Sequence, residues 1–211
     1  MSSEQIVVEE ALIEAAVSPQ KQAILDVAQA LFAQQGYEGL SIRDLAEHCG
    51  LAKATIYHHF RDKQDLFMCV LTREMLSMHA RIVSSASGET SPLEKLRLVV
   101  DVYCEMIGER RSLVMTTMHA NDELGVQLRE FGKTHKQHLL GPLTQIVQQG
   151  IAQGMFRPVN TQMSALSLIG MLNAFVSYQI LFADTVFEGD IAENVLDLFL
   201  NGILTDSTLL S

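Results

Sequence analysis

Five polar side chains within one seven-residue stretch have the chemistry to contact nucleic acid. They are Lys53, Thr55, Tyr57, His58 and His59. Ammonium, hydroxyl and imidazole groups bond to phosphate oxygens, and a lysine also binds the acceptor edge of guanine. Ala54 is small and the stretch contains no carboxylate, so neither bulk nor negative charge opposes its entry into a major groove. The stretch therefore predicts contact with double-stranded DNA.

A short helix is predicted immediately before this stretch. Ser41 is an N-cap residue, and Asp44 follows three positions later, as in an aspartate version of the capping box. Behind this cap, one helix face is apolar at Ile42, Leu45 and Ala46. Gly50 then ends the helix, because glycine adopts positive φ without a steric penalty.

A second helix is predicted to start near Ala52. Its only buried positions are Ile56 and Phe60, which are four residues apart and share one face. Two short helices joined by a glycine turn, the second with a slim and uncharged-to-basic leading turn, are typical of a helix-turn-helix.

The residues of this region resemble the TetR family of repressors. The resemblance rests on the run S-I-R-D-L-A, the run C-G-L-A-K-A-T-I-Y-H-H-F, and the following Lys63 and Leu66, and it covers about residues 23–70. It implies a homodimer whose three N-terminal helices bind a palindromic operator. It also implies that variable C-terminal helices bind a small molecule that releases the DNA. An activator would have the same motif, so the resemblance covers both modes of regulation.

The resemblance places DNA contacts at nine positions. They are Ser41, Arg43, Lys53, Ala54, Thr55, Tyr57, His58, His59 and Lys63. Lys53 is the expected base contact, and Arg43 suits a guanine edge or a phosphate. Partial packing against the preceding helix is the alternative role for Tyr57 and His59. Ala54 replaces the glycine often found there in the family, which adds a methyl group where the protein approaches the DNA backbone.

Helix start signals recur along the whole chain and predict an all-α protein. They are Ser18–Pro19, Asp62, Ser91 with Pro92 and Glu94, Asn121 with Asp122, Asn160–Thr161, and Asp190 with Glu193. The helix after Asp62 is expected to reach about Val83, followed by a loop over Ser84–Thr90, and a short Met-rich helix is expected over Leu113–His119. We predict an acidic extension (1–17), a helix-turn-helix domain (18–64) and an effector-binding and dimerisation domain (65–211).

The last two predicted helices are apolar on more than one side and must be covered. The same pair of helices from a second subunit would cover them in a four-helix interface, whereas burial within one globule is the alternative. Homodimerisation is our expectation, and it depends mostly on the resemblance.

Charge and composition limit the other classes of function. The 211-residue chain has a net charge of −10, yet residues 19–64 carry five basic and five acidic residues and are neutral. No run approaches the roughly 18 apolar residues of a membrane helix, and no secretory signal is recognisable, so a cytoplasmic location is expected. Three cysteines without metal-ligand spacing indicate a reducing compartment.

Residues 1–17 contain four glutamates, no lysine and no arginine. Apolar residues between the glutamates allow an amphipathic helix, and an irregular tail is the equal alternative. If this segment lies near DNA, its carboxylates oppose binding.

The effector site is expected among apolar and lightly polar side chains of the middle helices. The candidates are Met75, Met78, His79, Tyr103, Met106, Met115, Met118, His119, Phe131, His135, Phe175, Tyr178 and Phe182. For each of them, ordinary core packing is the competing role. His119 with Asp122, or His135 with His138, lacks a third ligand in sequence, so we expect no metal and no cofactor.

An enzyme is not expected, because the sequence contains no G-x-S-x-G, Walker or HExxH motif. The alternative to a regulator is a dimeric helical adaptor that has lost specific DNA binding. The neutral helix-turn-helix region and the acidic extension favour that alternative, whereas Lys53, Thr55, Tyr57 and Lys63 argue against it.

Overall fold

The structure is a computed structural model that describes residues 18–109, 116, 122–182 and 190–204. The described residues form eight helices: α1 (Pro19–Gly39), α2 (Ile42–Cys49), α3 (Lys53–His59), α4 (Lys63–Ala86), α5 (Pro92–Glu109), α6 (Asp122–Ala152), α7 (Thr161–Leu181) and α8 (Ile191–Ile203). Apart from an isolated bridge between Phe156 and Leu204, no strand pairing occurs in these ranges. The all-α prediction is confirmed.

Five of the six predicted helix starts are confirmed by their hydrogen bonds, and the sixth, at Asn121, lies outside the described residues. The Ser18 hydroxyl accepts a bond from Lys21 N at 3.3 Å, and Asp62 Oδ1 accepts one from Asp65 N at 2.8 Å. At α5 the capping box is reciprocal, since Ser91 Oγ accepts from Glu94 N at 3.2 Å while Glu94 accepts from Ser91 N at 2.9 Å. At α7 and α8 the side-chain oxygens of Asn160 and Asp190 accept bonds from Met163 N and Glu193 N.

Helix α1 is interrupted at Gly36, with φ 72° and ψ 177°, but helical structure resumes as far as Gly39. One predicted boundary differs from the structure. The predicted end of α4 near Val83 is wrong, because the helix continues to Ala86, which packs against a hydrophobic core. This packing extends the helix through Ser84 and Ser85, whose composition alone favours a loop. Of the predicted helix Leu113–His119, only Thr116 lies within the described residues.

The chain forms two compact units, each with its own core. Among the described residues, the first unit contains 18–77, 116 and 122–133, and the second contains 78–109, 134–182 and 190–204. The first core consists mainly of residues from α1 to α4: Ile24, Leu25, Ala28, Leu31, Phe32, Leu40, Leu45, Ala46, Ile56, Phe60, Leu66, Phe67 and Val70. The second core joins α5, α6, α7 and α8 around Leu96, Val100, Leu143, Phe156, Leu168, Leu172, Val195 and Phe199.

No helix of the described residues is long and apolar enough to cross a membrane.

Candidate DNA-binding surface

A fully buried core supports the helix-turn-helix formed by α2 and α3. Leu45 of α2, Ile56 of α3 and Phe60 just after α3 are at most 1% exposed. They pack in the first core with Phe32 of α1, which meets Phe67 of α4 edge to face at a centroid distance of 5.2 Å. These contacts fix α3 by one edge and leave its opposite side exposed.

The start of α2 is fixed by Ser41 and Asp44. The Ser41 hydroxyl accepts a hydrogen bond from Asp44 N at 3.1 Å and donates one to the Asp44 carboxylate at 2.6 Å. Hydrogen bonds from Ser41 lower the pKa of the Asp44 carboxyl group, which is therefore ionised in the first turn of α2. The Ser41 hydroxyl is thus committed to the cap, and its predicted DNA contact stays a prediction.

Gly50 sets the angle between the two helices. Its φ is 66° and its ψ is 29°, which is the left-handed conformation predicted from the sequence. Gly50 N donates to Glu47 O at 3.1 Å, and Leu51 N donates to Ala46 O at 2.9 Å. These two bonds satisfy the last carbonyl groups of α2 and turn the chain into α3.

The exposed side of α3 combines a cation with polar aromatic rings. Lys53, Ala54, Tyr57 and His58 are exposed, and we call these four residues the α3 surface. Tyr57 is 53% exposed, which is unusual for a large aromatic side chain without a partner surface. Lys53 has no hydrogen bond or ion pair to any other residue in the described part of the chain. Its ammonium is thus free to bind an anion.

The other two predicted contacts of α3 are only partly exposed. Thr55 is half-buried, and so is the ring of His59. His59 Nε2 donates a hydrogen bond to Gln20 Oε1 at 3.0 Å, and the centroids of the His58 and His59 rings lie 5.3 Å apart. His59 thereby joins the end of α3 to the start of α1. Sequence reasoning missed Gln20, which is 39 residues away and belongs to no recognisable motif.

Lys63 is held against the end of α1. Its Nζ atom lies 4.4 Å from the centroid of the Tyr37 ring and donates a hydrogen bond to Glu38 O at 3.3 Å. Burial lowers the pKa of the Lys63 ammonium. A cation stacked on an aromatic ring is oriented in advance, so this arrangement is compatible with the predicted phosphate contact.

Arg43 and Arg61 complete the exposed cations of this region. Arg61 forms an ion pair with Asp65 at 3.1 Å, whereas Arg43 is exposed beside the first turn of α2. Lys21 lies 5.3 Å from the centroid of the Phe60 ring. Few cations are therefore available to DNA, and among the described residues Lys53 and Arg43 are exposed without an ion pair.

Three effector candidates in the second unit are buried. His79, Tyr103 and Met106 are 2–3% exposed. The rings of His79 and His138 have their centroids 5.0 Å apart, and Tyr103 Oη donates to Asn173 Oδ1 at 2.7 Å. Burial raises the pKa of the Tyr103 hydroxyl far above its ordinary value, so the hydroxyl stays protonated.

The remaining candidates are dispersed. Met78 and Phe175 are half-buried in the second unit, and Met75 and Phe131 are half-buried in the first. Met115, Met118, His119 and the side chain of His135 lie outside the described residues. Within the described ranges, no group of three or more metal-binding side chains occurs.

Tyr178 and Phe182, two further candidates, lie on an exposed apolar face of α7. Helix α7 contains no charged residue, yet much of its surface is exposed. Its large exposed side chains are Met163, Leu166 and Tyr178, and Phe182, directly after the helix, and Leu198 of α8 are 52% and 60% exposed. We call these five residues the α7–α8 apolar face. Exposed apolar surface of this extent on a helix pair is typical of an interface.

Two family descriptions match the chain. "Bacterial regulatory proteins, tetR family" matches residues 24–68, and "Tetracyclin repressor-like, C-terminal domain" matches residues 89–177. The first match contains α2 and α3, and the second contains α5, α6 and most of α7.

Individual proteins resemble the chain over most of its length. The HTH-type transcriptional regulator HbdR of Aromatoleum sp. (strain CIB) is 23% identical over 90% of this chain and 82% of its own length. The fatty acid metabolism regulator protein of Bacillus subtilis (strain 168) is 24% identical over 88% of this chain and 96% of its own. The crystal structure of FadR from Bacillus subtilis in complex with stearoyl-CoA has a TM-score of 0.69 at 23% identity, covering 86% of this chain and 98% of that chain. At this identity, the structural likeness shows the fold alone.

Proposed function

This chain belongs to the TetR family of transcriptional regulators, and we propose that it is a cytoplasmic, homodimeric repressor that leaves a palindromic operator when a small molecule binds. The observation that carries the proposal is the α3 surface. Four exposed side chains without a carboxylate lie on a helix whose opposite edge is fully buried, as the recognition helix of a helix-turn-helix requires.

The α3 surface would contact both bases and phosphates. Lys53 is the unpaired cation at the N-terminal end of α3, where recognition helices contact base edges. Tyr57 and His58 are exposed one turn further along and have donors for phosphate oxygens. Lys63, oriented by Tyr37, and Arg43 would supply further phosphate contacts.

A second subunit would bind through the α7–α8 apolar face. Helix α7 carries no charged residue, so burying this face removes no charge from water, and its large side chains provide apolar area. A two-fold axis would then present two copies of α3 to half-sites one helical turn apart or a multiple of it.

We propose that the effector is an apolar or amphipathic organic molecule bound in the second unit. The interior there combines apolar residues with a few polar groups, including Tyr103 and His79. The relatives named for fatty acid metabolism and for a stearoyl-CoA complex make long-chain acyl thioesters the first class to test.

Helix α4 is the proposed connection between effector and DNA. Residue 77 belongs to the first unit and residue 78 to the second, and both residues lie in this one helix. An effector that displaces α4 would change the separation of the two recognition helices. It must bind the DNA-free state more tightly to have this effect.

Selection from a random duplex pool, followed by sequencing, tests the proposal. We expect the wild type to enrich a palindrome, and the Lys53→Ala variant to enrich it poorly or with relaxed sequence. Failure of a folded, dimeric wild type to enrich any sequence at low salt would contradict the repressor and favour the dimeric adaptor.

Titration of the operator complex with stearoyl-CoA, stearate and coenzyme A tests the effector class. Release by the acyl thioester alone would support an amphipathic thioester effector. Equal operator affinity with and without each of the three compounds would contradict that class.

A further inference from the structure

We propose that the acidic residues 1–17 bind in cis to the cations around the α3 surface and compete there with DNA phosphates. The proposal rests on the DNA-binding function proposed above. It assigns to this segment the role of weakening non-specific DNA binding, so that only an operator with base contacts displaces it.

The point at which this segment joins the fold lies beside α3. Ser18 is the N-cap of α1, and Gln20, two residues later, is bonded to His59 at the end of α3. Lys21 lies over the ring of Phe60, the residue that follows His59. Residue 17 is therefore attached within the first turn of a helix that contacts the recognition helix.

The segment is long enough to cover the whole α3 surface. Seventeen residues extend to at most about 60 Å, whereas the seven residues of α3 rise by only about 10 Å. A tether of this length keeps the segment at an effective concentration of about millimolar near its target. Weak electrostatic contacts are sufficient under that condition.

The charges of the two partners are complementary. Residues 1–17 contain no lysine or arginine and four glutamates, Glu4, Glu9, Glu10 and Glu14. Lys53 is exposed and unpaired among the described residues, and Arg43 is exposed as well. Since residues 19–64 are neutral overall, an additional charge of −4 tethered beside them makes the local net charge negative.

Competition of this kind acts most strongly on non-specific complexes. Binding to a random duplex depends on phosphate contacts alone, and those contacts use the same cations as the tethered carboxylates. Binding to an operator adds base contacts that the carboxylates do not replace. The ratio of specific to non-specific affinity therefore increases with the segment present.

The test compares the wild type with the variant Glu4→Gln/Glu9→Gln/Glu10→Gln/Glu14→Gln for binding to a short duplex of scrambled sequence and to the selected operator. At low salt we expect roughly a ten-fold gain in non-specific affinity, since each charge acts at about 10 Å. Screening should reduce the gain to about three-fold at about 0.15 M salt. The operator affinity should gain less.

Two further variants locate the effect. The pair Glu10→Gln/Glu14→Gln is compared with Glu89→Gln/Asp101→Asn, which removes the same charge from exposed positions of the second unit. Only the first pair should strengthen binding. In a Lys53→Ala background the gain from neutralising residues 1–17 should shrink, because a cation that these carboxylates occupy is gone.

Unchanged scrambled-duplex affinity at every salt concentration, with operator binding intact, would overturn the competition and leave the repressor function standing. Equal gains from both charge-matched pairs would also overturn it, since the effect would then be one of net charge. Absence of DNA binding by all forms at low salt would overturn both the competition and the function on which it rests.

Discussion

The ring of Phe156 fills the space beside Gly150 where any other residue would carry its side chain. A Cβ atom built on Gly150 would lie 2.0 Å from Cδ2 of Phe156. Met155 N and Phe156 N both donate to Gly150 O, at 2.9 and 3.1 Å, and Gly154 turns the chain with φ 73°. Phe156 is 1% exposed in the second core. The end of α6 is thus closed by backbone bonds that bring the Phe156 ring to a position where only a glycine on the helix leaves room for it.

We predict that Gly150→Ala lowers the free energy of unfolding by about 1–3 kcal/mol, the usual cost of overpacking a core. The added methyl group forces the fully buried ring of Phe156 to move. Urea denaturation at one fixed protein concentration measures the change, because a dimer's apparent stability depends on concentration.

Gly132→Ala is the matched control on the same helix, since a Cβ atom there meets nothing within 4 Å. It should increase stability by about 0.5–1 kcal/mol through helix propensity. If Gly150→Ala stabilised the protein as Gly132→Ala does, the close packing of Phe156 on Gly150 would be contradicted.

Arg157 caps the C-terminus of α8, and its truncation should weaken the second unit. Arg157 Nε donates to Gly202 O at 2.6 Å, beside the backbone bond from Arg157 N to Ile203 O at 2.8 Å. A cation at a helix C-terminus and its hydrogen bond contribute about 0.5–1.5 kcal/mol at an exposed site. Arg157→Ala should therefore lower the urea midpoint. Arg97→Ala, which removes an exposed arginine of α5, should leave it unchanged, and equal losses would contradict the cap.

The pKa of Asp44 should rise toward its ordinary value in a Ser41→Ala variant. The folded-state pKa is lowered by the Ser41 hydrogen bonds, so their stabilisation is present above the unfolded-state pKa and is lost as pH falls through the folded-state pKa. The stability difference between wild type and variant should consequently be larger near neutral pH than in acid, where the cap bond from Asp44 N still separates them. An NMR titration of the carboxyl carbons measures the shift, with Glu94, held by Ser91, as an internal reference that should not change.

Local signals in the sequence predicted most of the fold. The starts of α1, α2, α4, α5, α7 and α8 each rest on residues three positions apart, as in Ser91 and Glu94, so a short window contains all the information. The end of α4 at Ala86 was missed because it depends on packing against residues that are distant in sequence. Local composition at positions 84–90 does not encode that contact.

In the candidate site too, features with a local sequence signal were predicted, and contacts between distant residues were missed. The exposure of Lys53, Tyr57 and His58 follows from the positions of Ile56 and Phe60 on the opposite edge of α3, which the spacing revealed. The bond between His59 and Gln20 and the position of Lys63 over Tyr37 join residues 39 and 26 positions apart. Such pairs depend on how α1 packs, and a single sequence contains no signal for them.

Lys53→Ala should weaken operator binding by about 1–3 kcal/mol, the range for a base contact, and should relax the preference at one position of each half-site. Lys53 is exposed and free of partners in the described chain, so its removal costs no internal bond. Fluorescence anisotropy on the operator and on its single-base variants measures both effects. Lys95→Ala removes the same charge from α5, where among the described residues Lys95 bonds only Gln149, and this variant should bind the operator as the wild type does. Equal weakening by the two variants would show a general charge effect and contradict a direct contact.

Leu166→Glu should dissociate the proposed dimer, because Leu166 is 51% exposed in the α7–α8 apolar face. Two-fold symmetry places both copies of the new carboxylate in one interface, where an unpaired buried charge costs about 3–5 kcal/mol. That cost corresponds to a dissociation constant raised by more than about 100-fold. Leu98→Glu is the matched control, since Leu98 of α5 is 44% exposed in the same unit and lies outside this face. Light scattering across a dilution series should find monomers for Leu166→Glu and dimers for Leu98→Glu. A dimer that persists in Leu166→Glu, with dissociation in Leu98→Glu, would place the interface on α5 instead.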